Sequence, residues 1–169
     1  MARPSITIIA LLAIAFMVAA LSMLVFPIQP SLSPSGGINK TPTVSFTIYG
    51  GEISSAKYGF GFSPTNLTSP GPTISFSSSD VVNITFINAG TMSHAFVVTD
   101  APKSTGNILF GAEIGSSTNP LSPGGKGTII FQPSGAGNRY YICPVPGHAE
   151  LGMWGNINIT QGTTGMPGM

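Results

Sequence analysis

Residues 140–155 read Tyr140-Tyr141-Ile142-Cys143-Pro144-Val145-Pro146-Gly147-His148-Ala149-Glu150-Leu151-Gly152-Met153-Trp154-Gly155. The only cysteine of the 169-residue chain and one of its two histidines stand here five residues apart, and Met153 follows after five more. The Tyr-Tyr pair before Cys143 reads as a strand, and Pro144, Pro146 and Gly147 mark a turn. The other histidine, His94, stands in Ser93-His94-Ala95-Phe96-Val97-Val98, an apolar alternation that reads as the start of another strand.

Taken singly, each of these residues has a plainer reading. A lone cysteine is usually a small buried hydrophobe, a lone methionine core filler, and a histidine on an apolar strand a hydrogen-bonded core residue. Their joint arrangement argues otherwise, because two equal intervals place three soft or borderline donors around one turn. No other cysteine or histidine is present for another purpose. Two imidazole nitrogens, a thiolate and a weak thioether are the donor set of a mononuclear blue copper centre with a long axial methionine.

Working outward, the pattern has period two. Val44, Phe46 and Ile48 alternate with polar residues, as do Val82, Ile84 and Phe86, then Phe96 and Val98, then Gly155, Ile157 and Ile159; Ile130 between Thr128 and Gln132 is less clean. Short strands bounded by Gly, Pro, Asn and Ser predict an all-β sandwich or barrel over residues 43–160. Residues 49–73 read either as a strand plus a loop or as an excursion capping one end. Residues 106–121 leave room for a short turn of helix.

Cys143-x4-His148-x4-Met153 after a Tyr-Tyr strand, with a Ser-His-x-Phe strand upstream, resembles the type 1 copper proteins called cupredoxins, and among them rusticyanin and sulfocyanin most. The resemblance covers Asp80 to Ile159. It implies a Greek-key β-sandwich and one type 1 copper ion per chain. His94, Cys143 and His148 would be the close ligands and Met153 the axial one. It also implies N–H donors to the thiolate from Ala95 and Val145, and an electron exit at His148 within an apolar patch of Pro144, Pro146, Ala149 and Leu151. Two departures from the family bear on the potential rather than on the copper. Ala95 stands where many relatives have an Asn or Ser that ties the ligand loops, a role left to Ser93, and Pro144 removes a backbone donor after the cysteine. Met92 has no counterpart in the motif and reads as packing, as does Trp154.

Ile6 to Phe26 is an uncharged run of 21 residues. As a helix it would be roughly 32 Å long, matching a hydrocarbon core of about 30 Å. It is longer than the apolar part of a secretory signal, so residues 1–26 are expected to form one uncleaved transmembrane helix, with Arg3 keeping the short N-terminal end cytoplasmic. Residues 27–42, rich in Pro, Ser and Gly, read as a linker able to span up to about 50 Å, and residues 161–169 as a flexible tail. The 143 residues that follow the apolar run are enough for one domain. Charged residues make up 7% of the chain, against about 25% ordinarily. With no basic patch, nucleic acid is excluded as a partner. Sequons occur at Asn39, Asn66, Asn83 and Asn158, the last two on strand faces opposite the apolar ones.

The expected protein is a monomeric, single-pass membrane protein whose copper domain faces the extracellular or periplasmic side. It would shuttle single electrons between redox partner proteins such as a cytochrome and a terminal oxidase, with no small-molecule substrate and no enzymatic activity. A domain of a copper oxidase or nitrite reductase would need further histidines, and a two-copper electron-entry domain a second cysteine. A surface or copper-storage sandwich without redox function is the remaining alternative. The scarcity of charge, together with the likeness to proteins of acidophiles, also predicts a fold that tolerates acid.

Overall fold

Alternating apolar residues build two stacked sheets in the computed structural model, which describes residues 38–162. The strands are β1 (Val44–Ser54), β2 (Lys57–Gly61), β3 (Gly71–Ser77), β4 (Val82–Asn88), β5 (Phe96–Thr99), β6 (Ile108–Ile114), β7 (Lys126–Phe131), β8 (Gly137–Ile142) and β9 (Trp154–Thr160). One sheet has the order β2-β1-β4-β7 and the other β3-β9-β8-β5-β6. The pairs β1–β4 and β3–β9 are parallel and the others antiparallel. With the chain crossing repeatedly between sheets, this is the expected Greek-key sandwich. Among the described residues no helix is long and apolar enough to cross a membrane. The 6–26 run lies outside them, as do most of the linker and most of the tail.

The inner faces follow the predicted alternation on β1, β4 and β9. Ile48, Val82, Ile84, Phe86, Ile157 and Ile159 are all buried and meet Phe60, Phe96 and Phe131 between the sheets. One sequence reading is corrected and two open ones are decided. On β7 the buried residues are Ile129 and Phe131, while Ile130 lies on the outer face opposite Asn83. Adjacent isoleucines fit either phase, and only the pairing with β4 chooses one. Residues 106–121 carry strand β6 and no helical turn. The strand is bent where Phe110 and Gly111 both take left-handed backbone (φ 59° and 62°), a departure that side-chain periodicity cannot register. His94 precedes β5 by two residues and is held by an isolated antiparallel bridge to Leu121.

Residues 49–73 resolve into the rest of β1, a tight hairpin to β2 and the crossing to β3. The hairpin carries Glu52 and Tyr58 to the end of the sandwich where β4 finishes and β8 gives way to the loop before β9. Asn39, Asn66 and Asn158 are exposed, whereas Asn83 is half-buried, its Nδ2 pointing to Ser45 Oγ.

Candidate metal centre

Cys143 follows directly on β8 and Met153 directly precedes β9, so a paired strand fixes each end of the intervening loop. The Cys143 N–H donates to the Met153 carbonyl (3.0 Å), the Met153 N–H to the His148 carbonyl (2.9 Å) and the His148 N–H to the Val145 carbonyl (3.0 Å). Gly152 closes the loop at φ 96°, where a Cβ would also strike the Ser69 hydroxyl. Ala149 anchors the loop by packing with Val97, Ile142 and Trp154 outside the main core. That is why β5 is buried on both faces.

His94 reaches the same place from the β4–β5 connection. The wholly buried Asn88 ties this connection down. Its Nδ2 donates to the carbonyls of Met92 (2.8 Å) and Leu121 (2.9 Å), and its Oδ1 accepts from the Gly90 N–H (2.9 Å). Ser93, expected to tie the ligand loops, is exposed, and its hydroxyl has no hydrogen bond among the described residues.

Three of the expected site residues, His94, Cys143 and His148, meet. His94 Nδ1 lies 3.1 Å from His148 Nδ1 and 3.9 Å from Cys143 Sγ, and His148 Nδ1 lies 3.5 Å from the same sulfur. A point about 2.0 Å from all three atoms exists in their plane, close to the bond lengths by which imidazole and thiolate hold a transition metal (about 2.0–2.1 and 2.3 Å for zinc). The donors therefore fit an ion of that size, and the triad with Met153 beside it matches a type 1 copper site. Met153 is wholly buried, its methyl placed over the bare Gly50 and against Phe86.

Burial pushes the Cys143 thiol up to about 11, against the N–H groups of Ala95 (3.4 Å from Sγ) and Val145, which stabilise the thiolate. These are the two donors the resemblance implied. Burial also lowers both histidines, so their rings stay neutral and free to ligate; Glu52 opposes this at His94, while at His148 the neighbouring His94 adds to it. For Glu52, burial would raise the carboxyl, but the N–H groups of Thr91, Glu52 itself and Met92, with His94, hold it down to about 2.

His148 keeps 5% exposure while His94, Cys143 and Met153 keep none, so the site reaches the surface through His148. The Tyr58 ring stacks on His148 (centroids 4.2 Å, 19°). Around it the expected patch is rearranged. Leu151 and Pro146 are exposed as expected, but Ala149 is buried at 1%, spent on anchoring the loop. Met92, read as packing, is 46% exposed, and its sulfur accepts from the Tyr58 hydroxyl at 3.7 Å. Trp154 is packing, half-buried and edge-on to Tyr140. Sequence reasoning missed Glu52, Tyr58 and Asn88. Only Asn88 left a signal, since Asn88-Ala89-Gly90 suits an Asn side chain that caps its own backbone two residues on.

The Sulfocyanin (SoxE) domain family matches residues 37–167. Rusticyanin of Acidithiobacillus ferrooxidans is 32% identical over 92 residues, covering 51% of this chain and 49% of that protein. The chain thus spans about half the length of the curated relatives it matches. Auracyanin B superposes with a TM-score of 0.53 at 20% identity, over 76% of this chain and 96% of its own. A multicopper oxidase from Pseudomonas thermotolerans does so with a TM-score of 0.52 at 15% identity, over 73% of this chain and 31% of its own. At such identities the structural likeness shows the shared fold alone.

With the histidines neutral and the thiol protonated up to about 11, uptake of copper(II) by the metal-free protein at about pH 7.5 should release one proton, that of Cys143. Calorimetry in buffers of different ionisation enthalpy measures this number. Release of two or more would show that a histidine was held protonated.

Proposed function

The chain belongs to the sulfocyanin (SoxE) domain family, and from this membership and the buried donor triangle we propose that it carries single electrons on one type 1 copper ion. His94, Cys143 and His148 would hold it, with Met153 beside them. A copper ion bound there supplies a one-electron couple. The protein's part is to hold the donors in one arrangement through both oxidation states. Cys143 and Met153 are clamped by the β8–β9 pair and by each other's backbone, and His94 by its bridge to Leu121. The Ala95 N–H stabilises thiolate charge and so helps to set the potential. The observation that carries the reading is the mutual spacing of His94 Nδ1, His148 Nδ1 and Cys143 Sγ in a water-excluded pocket. Both histidines of the sequence are spent on it, which leaves none for the catalytic copper of an oxidase or nitrite reductase.

Electrons enter and leave through His148, beneath Tyr58 and beside the exposed side chains of Leu151, Met92 and Pro146. An apolar rim suits brief docking, because it desolvates readily and demands no fixed charge partner. The partners are redox proteins such as a cytochrome or a terminal oxidase. Residues 1–26 anchor the chain by a single membrane pass and 27–42 tether a monomeric copper domain on the outer face, a placement supported by the apolar run and the composition of the linker.

The purified copper-loaded protein should show an intense visible thiolate-to-copper band. Cys143→Ser should abolish it, whereas Met153→Leu should keep a coloured site with a shifted potential, because the axial bond is weak; a serine variant that kept the colour would sink the ligand assignment.

A chain starting near Gly36 should fold, bind copper and stay in the soluble fraction. Unfolding of that variant would make the apolar run part of the globular core.

Acid should leave the domain intact to about pH 3. A carboxylate held low in the folded state contributes stability that is full above its unfolded value and is lost progressively as pH falls from there through the folded one, so tolerance rests on how few such groups there are, five carboxylates in the chain. For Glu52 that window runs from 4.5 down to about 2, and Asp100 and Glu150 are lowered in the same direction, by hydrogen bonds from Asn107 and Ser104 respectively. A titration of the visible band and circular dichroism checks this; loss of both around pH 5 would contradict it.

A further inference from the structure

Glu52 stands on β1, where the register against β2 shifts, and its carboxylate faces the connection that carries His94. Oε2 accepts the Thr91 N–H at 2.9 Å, and Oε1 accepts the Met92 N–H at 2.8 Å and His94 Nε2 at 3.3 Å. Gly90 makes room for this. A Cβ there would lie 2.4 Å from Glu52 Oε2 and 2.9 Å from His94 Nε2, so any side chain would drive the carboxylate off the ring. The connection does not need Glu52 merely to close, since Asn88 and the Leu121 bridge already secure it at the carbonyls of Met92 and His94 and the N–H groups of Gly90 and His94. What Asn88 and Leu121 leave open is the orientation and tautomer of the His94 ring. A carboxylate at Nε2 requires the hydrogen on that nitrogen, which turns the lone pair of Nδ1 toward Cys143 and His148.

We propose that Glu52 is the positioning residue of the copper centre, fixing the His94 tautomer and lending its negative charge through the imidazole to favour copper(II). This rests on the functional reading above. A carboxylate partner makes a ligating imidazole more basic, and a more basic ligand stabilises the higher oxidation state. Glu52 thereby sets the potential and the retention of copper without touching the ion. The network Glu52–His94 thus does for the first histidine what the β8–β9 strands do for the cysteine.

The test has three arms. In metal-free wild-type protein, nitrogen-15 correlation spectra of the imidazoles should show His94 as the Nε2–H tautomer; the Nδ1–H form would overturn the proposal. This arm needs no copper, so it decides the positioning role separately from the reading of the site. In copper-loaded protein, Glu52→Gln should keep the circular dichroism and the visible band but weaken copper(II) binding by about 10–100-fold. If copper(I) binding is unchanged, each tenfold raises the reduction potential by about 59 mV for a one-electron couple. Gly90→Ala, which displaces the carboxylate without altering it, should move the potential the same way, and Glu52→Asp should restore part of the loss. Variants that lose thermal stability yet keep wild-type potential and copper(II) affinity would reduce Glu52 to a structural tie and overturn the assignment.

Discussion

Crowding two imidazole nitrogens and a sulfur within 3.1–3.9 Å of one another, in a site buried except at the edge of His148, is the constraint on which the rest of this structure depends. A polar group buried without a partner costs about 1–3 kcal/mol. The fold therefore supplies a partner on the far side of two donors, the Ala95 N–H behind Cys143 Sγ and Glu52 behind His94 Nε2. His148 instead lies beneath the Tyr58 ring and keeps the site's one opening to the surface. The three donors come from two segments that are almost fifty residues apart, and the pairing of β5 with β8 brings them together.

The loop from Cys143 to Met153 illustrates how a short sequence is held to one shape. Its ends are tied by a strand pair, its middle by successive turns, and its outer side by Ala149 against the sheet. Consequently Ala149 serves anchoring rather than docking. The exposed apolar rim is assembled instead from Met92 before β5 and Leu151 in the loop, on either side of the buried Tyr58 of β2. A rim so divided joins the docking face to the ligand set, since each of its segments also contacts a histidine or flanks a ligand.

Scarcity of charge shapes the remainder. With five carboxylates in the whole chain, three have hydrogen bonds that hold them below their ordinary range. These three lose their contribution as pH falls below their ordinary values, and their small number is what limits the loss. Glu52 is one of the three and also holds His94, which links loss of stability in acid to the geometry of that ring.

The sequence by itself determined the donors, the strand alternation and the sandwich, because soft ligands at fixed intervals and period-two burial are properties of a chain read locally. It also carried the likeness that pointed to the ligand set. Only the tertiary structure decided the partners of those donors. Glu52 lies 42 residues from His94 and looks on the page like any surface acid, Tyr58 is equally silent about what it touches, and Asn88 gives no sign of its bonds to Met92 and Leu121. The phase of Ile129 and Ile130, the burial of Ala149 and the exposure of Met92 likewise follow from which strand or loop lies opposite. Periodicity reports that a residue has a buried side, whereas the identity of what covers it is fixed by contacts between segments distant in sequence, and those exist only once the chain has folded.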